Sequence, residues 1–62
     1  MNVGDVVILK SGGHQMVIME DQGTNEYERW FTCRYFDDNN LAHTLDCLES
    51  ELVLANQQND VN

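Results

Sequence analysis

Apolar residues in this chain come in short runs separated by polar, glycine-rich or Asp/Asn-rich stretches. Val6, Val7, Ile8 and Leu9 form a β-branched run closed by Ser11-Gly12-Gly13. A run of this kind, bounded by glycine, reads as a strand, and the Gly-Gly pair supplies positive φ where the turn needs it. Met16 to Met19 is a second apolar run, closed by Glu20 and Asp21, so the two predict a hairpin. Gln22 to Glu28 is polar and reads as a loop entering the next strand.

Arg29 to Phe36 is the clearest strand. Its alternation puts Phe31, Cys33 and Tyr35 on one face and Trp30, Thr32, Arg34 and Phe36 on the other. Asp37-Asp38-Asn39-Asn40 predicts a turn, because Asp and Asn tolerate left-handed φ and bond their own backbone. Leu41 to Asp46 reads as a weaker returning strand, Leu48 to Glu51 as a single 3₁₀ turn, and Leu52 to Leu54 as a last short strand. The expected fold is therefore all-β: a five-stranded SH3-like barrel with one 3₁₀ turn before the last strand, closed or half-closed because open edges invite pairing with other chains. Val7, Leu9, Met16, Ile18, Phe31, Cys33, Tyr35 and Leu52 are its expected core. Residues 1–55 make one domain, and 56–62 read as a polar tail.

Size limits what such a domain can do. A chain of 62 residues buries about 60% of the surface its unfolded form exposes. Its core supplies no more than about 3–5 kcal/mol without a staple. Eleven acidic residues stand against Lys10, Arg29 and Arg34, for a formal net charge of −8. A field of that sign repels phosphate, which argues against direct nucleic-acid binding and against docking on an anionic membrane. A basic protein partner fits better, with plain solubility as the other source of the charge. No apolar run approaches a membrane span, and Met1 to Asp5 has no basic leader region. The expectation is a cytoplasmic protein with reduced thiols.

Val3-Gly4-Asp5-Val6-Val7, then Leu9-Lys10-Ser11-Gly12-Gly13, then Met16 and Ile18 resemble the opening of the small YodC-like bacterial proteins. That family reads G-D-V-V-x-L-K-S-G-G-x-x-M-T-V and continues with C-x-W-F, matched by Cys33-Arg34-Tyr35-Phe36. The likeness covers about the first forty residues and then thins. Tyr35 stands where the family has tryptophan, Cys47-Leu48 stand near its aromatic-proline pair, and the charge is more acidic. The resemblance implies an SH3-like barrel and carries over no activity. The departures fit a divergent copy, for instance on a mobile element.

Few residues offer chemistry. His14, Cys33, His43 and Cys47 are the soft-metal ligands, but the one short pair, His43-x₃-Cys47, is not the close Cys-pair spacing of structural zinc. Neither a metal nor any other cofactor is expected, although a small Cys/His metal-binding regulator stays open as an alternative. A Cys33–Cys47 disulfide would close a loop of about 15 residues, worth roughly 3 kcal/mol, but a reducing compartment argues against it. Cys33 with His43 is a conceivable nucleophile and base, yet a cysteine inside a core strand is packing and its buried thiol inert. The carboxylate pairs Glu20-Asp21 and Asp37-Asp38 fall in turns, where side chains are solvated, and no apolar pocket is evident to raise one pKa. Ser11-Gly12-Gly13 lacks the strand-loop-helix context of a phosphate loop. The chain is read as no enzyme.

Binding is what remains. With Phe31, Cys33 and Tyr35 inward, Trp30 and Phe36 point outward or to a rim, and Glu26, Glu28, Asp37 and Asp38 are expected to crowd one end of their strand. An aromatic rimmed by acids suits a docking face for a basic protein, and these six residues are the candidate site. Its sharpest form is a nucleic-acid mimic that occupies the groove of a nucleic-acid-binding enzyme, as phage counter-defence inhibitors do. The alternative is a housekeeping accessory domain of a larger bacterial assembly. Either way the chain is read as a monomer or weak dimer.

Overall fold

The structure is a computed structural model that describes residues 1–55. Five strands form: β1 (Val6–Leu9), β2 (Met16–Thr24), β3 (Arg29–Phe36), β4 (Ala42–Leu48) and β5 (Leu52–Leu54), with the 3₁₀ turn η1 (Glu49–Glu51) before the last. They make one antiparallel sheet in the order β4-β3-β2-β1-β5. The expected all-β class, strand number and 3₁₀ turn are present. Closure is not: β4 and β5 are the two edges and no ladder joins them.

The sheet bends without closing because β2 carries two irregularities. Ile18 faces Cys33 while Glu20 faces Thr32, leaving Met19 as an extra residue. A second shift lies between Asp21 and Thr24, where Gly23 adopts φ +83° and donates its N–H to Asp21 Oδ1 at 2.9 Å. Such bulges increase local twist and turn the strand. The segment expected as a loop from Gln22 is thereby still strand as far as Thr24. Both edge strands nevertheless contribute to the core. Phe31 of β3, Cys47 of β4 and Leu52 of β5 share one buried cluster with Val7, Met16, Ile18 and Cys33.

The core mostly follows the alternation, with corrections at its margin. Leu9 and Tyr35 are half-buried and pack against the cluster rather than lying within it. Ile8 and Cys47 are buried and were not expected. Cys47 enters because β4 runs on to Leu48, two residues beyond its expected end, and pairs Cys47 with Phe31. Glu28 holds η1 in place: its carboxylate accepts from Ser50 N–H at 2.8 Å and Ser50 Oγ at 3.0 Å. Glu51 Oε1 accepts Leu48 N–H at 2.8 Å, which ends β4 and opens the 3₁₀ turn. The polar tail expected from Asn56 lies outside the described residues.

Candidate functional site

The inner face of the sheet is sealed at one end and open at the other. Phe31, Cys33, Cys47, Ile18, Val7 and Leu52 fill the sealed end. At the open end a depression of about 110 Å³ is lined by Leu9, Gly13, His14, Met16, Tyr35 and Leu45. That is far below the roughly 300–1,000 Å³ of small-molecule sites and suits one aliphatic side chain.

The rim of this depression is an aromatic stack. Tyr35 lies between His14 and His43, with ring centroids at 5.0 Å and 5.2 Å. Each imidazole meets a carboxylate of the β3–β4 turn: His43 Nε2 lies 2.7 Å from Asp37 Oδ2, and His14 Nε2 lies 3.6 Å from Asp38 Oδ1. Asp37 organises the turn as well, accepting N–H bonds from Asn39 at 2.8 Å and Leu41 at 3.0 Å. The hydrogen bond from His43, and then those N–H groups, hold the Asp37 carboxyl below its ordinary value. Asn40 takes the left-handed conformation, φ 65°, which its short polar side chain tolerates.

The six candidate residues do not form one patch. Glu26 and Glu28 precede β3 and Asp37 and Asp38 follow it, so roughly 25–30 Å of extended chain separates the pairs. The expectation that these acids crowd one end is corrected accordingly: an eight-residue strand keeps its two flanking loops apart. Glu28 is spent on Ser50. Trp30 is half-buried opposite half-buried Leu48 at the η1 end. Phe36 is 54% exposed at the other end, with the Arg34 guanidinium carbon 5.4 Å from its ring centroid. Leu41, which the sequence reading placed in a strand, is 60% exposed in the turn, and its carbonyl accepts the Asp37 N–H at 2.9 Å. Phe36, Asp37, Asp38 and Leu41 therefore share the β3–β4 connection, and Leu41 is the member that sequence reasoning missed.

The remaining chemistry is inert or dispersed. Cys33 and Cys47 are buried free thiols. Burial, and then the neighbouring Cys47 sulfur, push the Cys33 thiol up to about 11. Burial likewise raises Cys47. His14 and His43 both stack on Tyr35. Among the described residues no three of His, Cys, Asp and Glu converge as metal ligands. No helix among those residues is long and apolar enough to cross a membrane.

No curated protein and no solved structure matches the chain significantly. The family model described as "Uncharacterized small protein (DUF2158)" matches residues 2–49, which span β1 to β4 and the whole Phe36–Leu41 turn. The match covers most of the 62-residue chain, and the chain belongs to the DUF2158 family of small proteins.

Proposed function

We propose that this chain is a non-catalytic protein-binding module that docks a basic partner through the Phe36–Leu41 turn. One observation carries the reading: two large apolar side chains, Phe36 and Leu41, stand exposed on either side of Asp37 and Asp38. An exposed aromatic inserted into a partner's pocket supplies affinity, and acids at its rim supply steering and selectivity. The surroundings reinforce that sign. Of three basic side chains, Arg29 is engaged with Asp21 at 3.7 Å and Arg34 lies over Phe36. The net charge of −8 is left to repel phosphate and attract lysine and arginine.

The geometry favours plain docking over nucleic-acid mimicry, because a mimic needs its acids along one face and here the four acids of the expected site divide between the two ends of β3. Trp30, Glu26 and Glu28 accordingly leave the proposed site. A non-catalytic role is supported by the Cys33 thiol, which is buried and stays protonated at neutral pH. An SH3-like ancestry is supported by connectivity: a four-strand meander, a 3₁₀ turn, and a fifth strand returning beside the first. The YodC-like residues, Val3 to Ile18 and Cys33 to Phe36, all fall within the matched segment.

Affinity capture from the source organism, compared by quantitative mass spectrometry, tests the docking. Immobilised wild type should retain at least one basic protein that a Phe36→Ser, Asp38→Asn variant loses and a Trp30→Phe variant keeps. Retention that is equal on all three would place the docking face elsewhere.

A further inference from the structure

We infer that β4 takes up an extended strand of the basic partner along its free edge. Phe36–Leu41 would then be the start of a longer interface.

The hairpin geometry fixes which backbone groups face outward. Asp37 N–H bonds the Leu41 carbonyl, and the β3–β4 register then runs one to one from Phe36↔Ala42 to Trp30↔Leu48. Hydrogen-bonded pairs alternate in an antiparallel ladder, so Tyr35/His43, Cys33/Leu45 and Phe31/Cys47 exchange bonds. The N–H and C=O groups of Ala42, Thr44 and Asp46 therefore point away from β3. Leu48 N–H agrees with this phase, since it bonds the Glu51 side chain rather than β3. Among the described residues only β3 pairs with β4.

This edge lacks the usual protections. Natural sheets blunt an edge with lysine, proline, a bulge, short length or a covering element. β4 has seven residues, no lysine or proline, and no register shift against β3, and Ala42 to Asp46 are all exposed. The opposite edge, β5, has three residues. The β4 edge also adjoins the open end of the inner face. A residue added opposite His43 or Leu45 lies on that side, beside the depression that Leu45 and Tyr35 help line. Residues on the other side fall next to Asp46, and the strand's end falls next to Asp37 and Asp38.

Charge selects the occupant. Pairing two copies would bring together two bodies each of net charge −8, whereas a lysine-bearing strand neutralises that field. The expected segment alternates aliphatic residues, facing the depression, with basic residues facing Asp46. The proposal rests on the basic-partner reading and adds the mode of binding, main-chain pairing with side-chain selection at alternate positions.

The probe is a capped seven-residue peptide alternating lysine and valine, titrated into the ¹⁵N-labelled full chain with amide hydrogen exchange as the readout. Exchange at Ala42, Thr44 and Asp46 should slow at least about tenfold, while His43, Leu45 and Cys47, already bonded to β3, should change little. A Thr44→Pro variant removes one outward N–H that the fold does not use. It should keep the wild-type spectrum elsewhere and bind at least about tenfold more weakly. Peptide shifts confined to Phe36–Leu41, with free exchange along β4, would overturn strand addition and leave turn docking standing. Protection of the same amides without peptide, rising with protein concentration, would assign the edge to a second copy and overturn the proposal. Equal binding by a glutamate–valine peptide would remove the charge argument, and with it both this inference and the basic-partner reading.

Discussion

Replacing Val7 with threonine should cost this domain about half its stability, while the same change one residue earlier should cost almost nothing. Val7 is wholly buried among Met16, Ile18, Phe31, Cys33, Cys47 and Leu52. Val6 is 41% exposed on the other face, opposite Val17. Threonine keeps the β-branched shape, so strand propensity is matched and only the environment differs. At position 7 the new hydroxyl enters a core in which no polar residue is buried among the described residues. Burying it unpaired costs about 1–3 kcal/mol by mutational precedent. Against a total of about 3–5 kcal/mol for a chain this small, that is a large share. One kcal/mol moves the midpoint of a domain near this size by about 8 °C, so Val7→Thr should melt roughly 8–24 °C lower. Val6→Thr should stay within about 0.5 kcal/mol of wild type. Thermal melts and urea unfolding would measure both, with an unchanged urea slope showing that the unfolded states are comparable. Equal losses at the two positions would mean that the outer face is covered as tightly as the inner one, and the assignment of faces would fall.

Glu28→Ala removes both bonds to Ser50 and should cost about 1 kcal/mol, with the loss visible as faster amide exchange at Ser50. Native Cys33, its thiol pushed up to about 11 from an ordinary 9.0, should resist alkylation at pH 8 and react once urea unfolds the chain. Its folded pKa is the higher one, so its contribution to stability is full below about 9 and is lost as pH rises through about 11. Asp37 behaves in the opposite sense. Its folded pKa is depressed, so its contribution is present above the ordinary 3.8 and is lost as pH falls through the lower folded value. Carboxyl NMR should find its midpoint below 3.8 in wild type and higher in His43→Gln, since the His43 hydrogen bond is the leading cause. An unmoved midpoint in that variant would assign the depression to the turn N–H groups alone.

The strands were legible where alternation and turn chemistry agreed. Phe31, Cys33 and Tyr35 face inward as their spacing demands, and the Asp37–Asn40 cluster does turn the chain. What the sequence hid was register. A turn of residues 37–40 alone would set Phe36 opposite Leu41, but Leu41 joins the loop and Phe36 pairs with Ala42. A one-residue slip moves every side chain to the other face. That slip places His43, Leu45 and Cys47 on the inner face and builds the stack of His14, Tyr35 and His43. The open sheet was hidden for a related reason. The bulges at Met19 and near Gly23 are accommodations between β2 and β3, and composition alone does not encode how far they curl a sheet. The candidate site was half legible: Phe36, Asp37 and Asp38 stay together, whereas Trp30 and Glu28 belong to the η1 end.

The kinetics of a captured partner binding wild type, Phe36→Ala and Asp38→Asn over a salt series test the docking reading most directly. The Asp38 side chain is fully exposed, so removing its charge should slow association at low salt. The difference should vanish above about 0.15 M, where the Debye length is about 8 Å. Phe36→Ala should leave association nearly unchanged and speed dissociation at least about tenfold, in line with a lost aromatic anchor of about 2 kcal/mol. Rates that ignore both substitutions and the salt, from proteins that remain folded, would contradict docking at the Phe36–Leu41 turn.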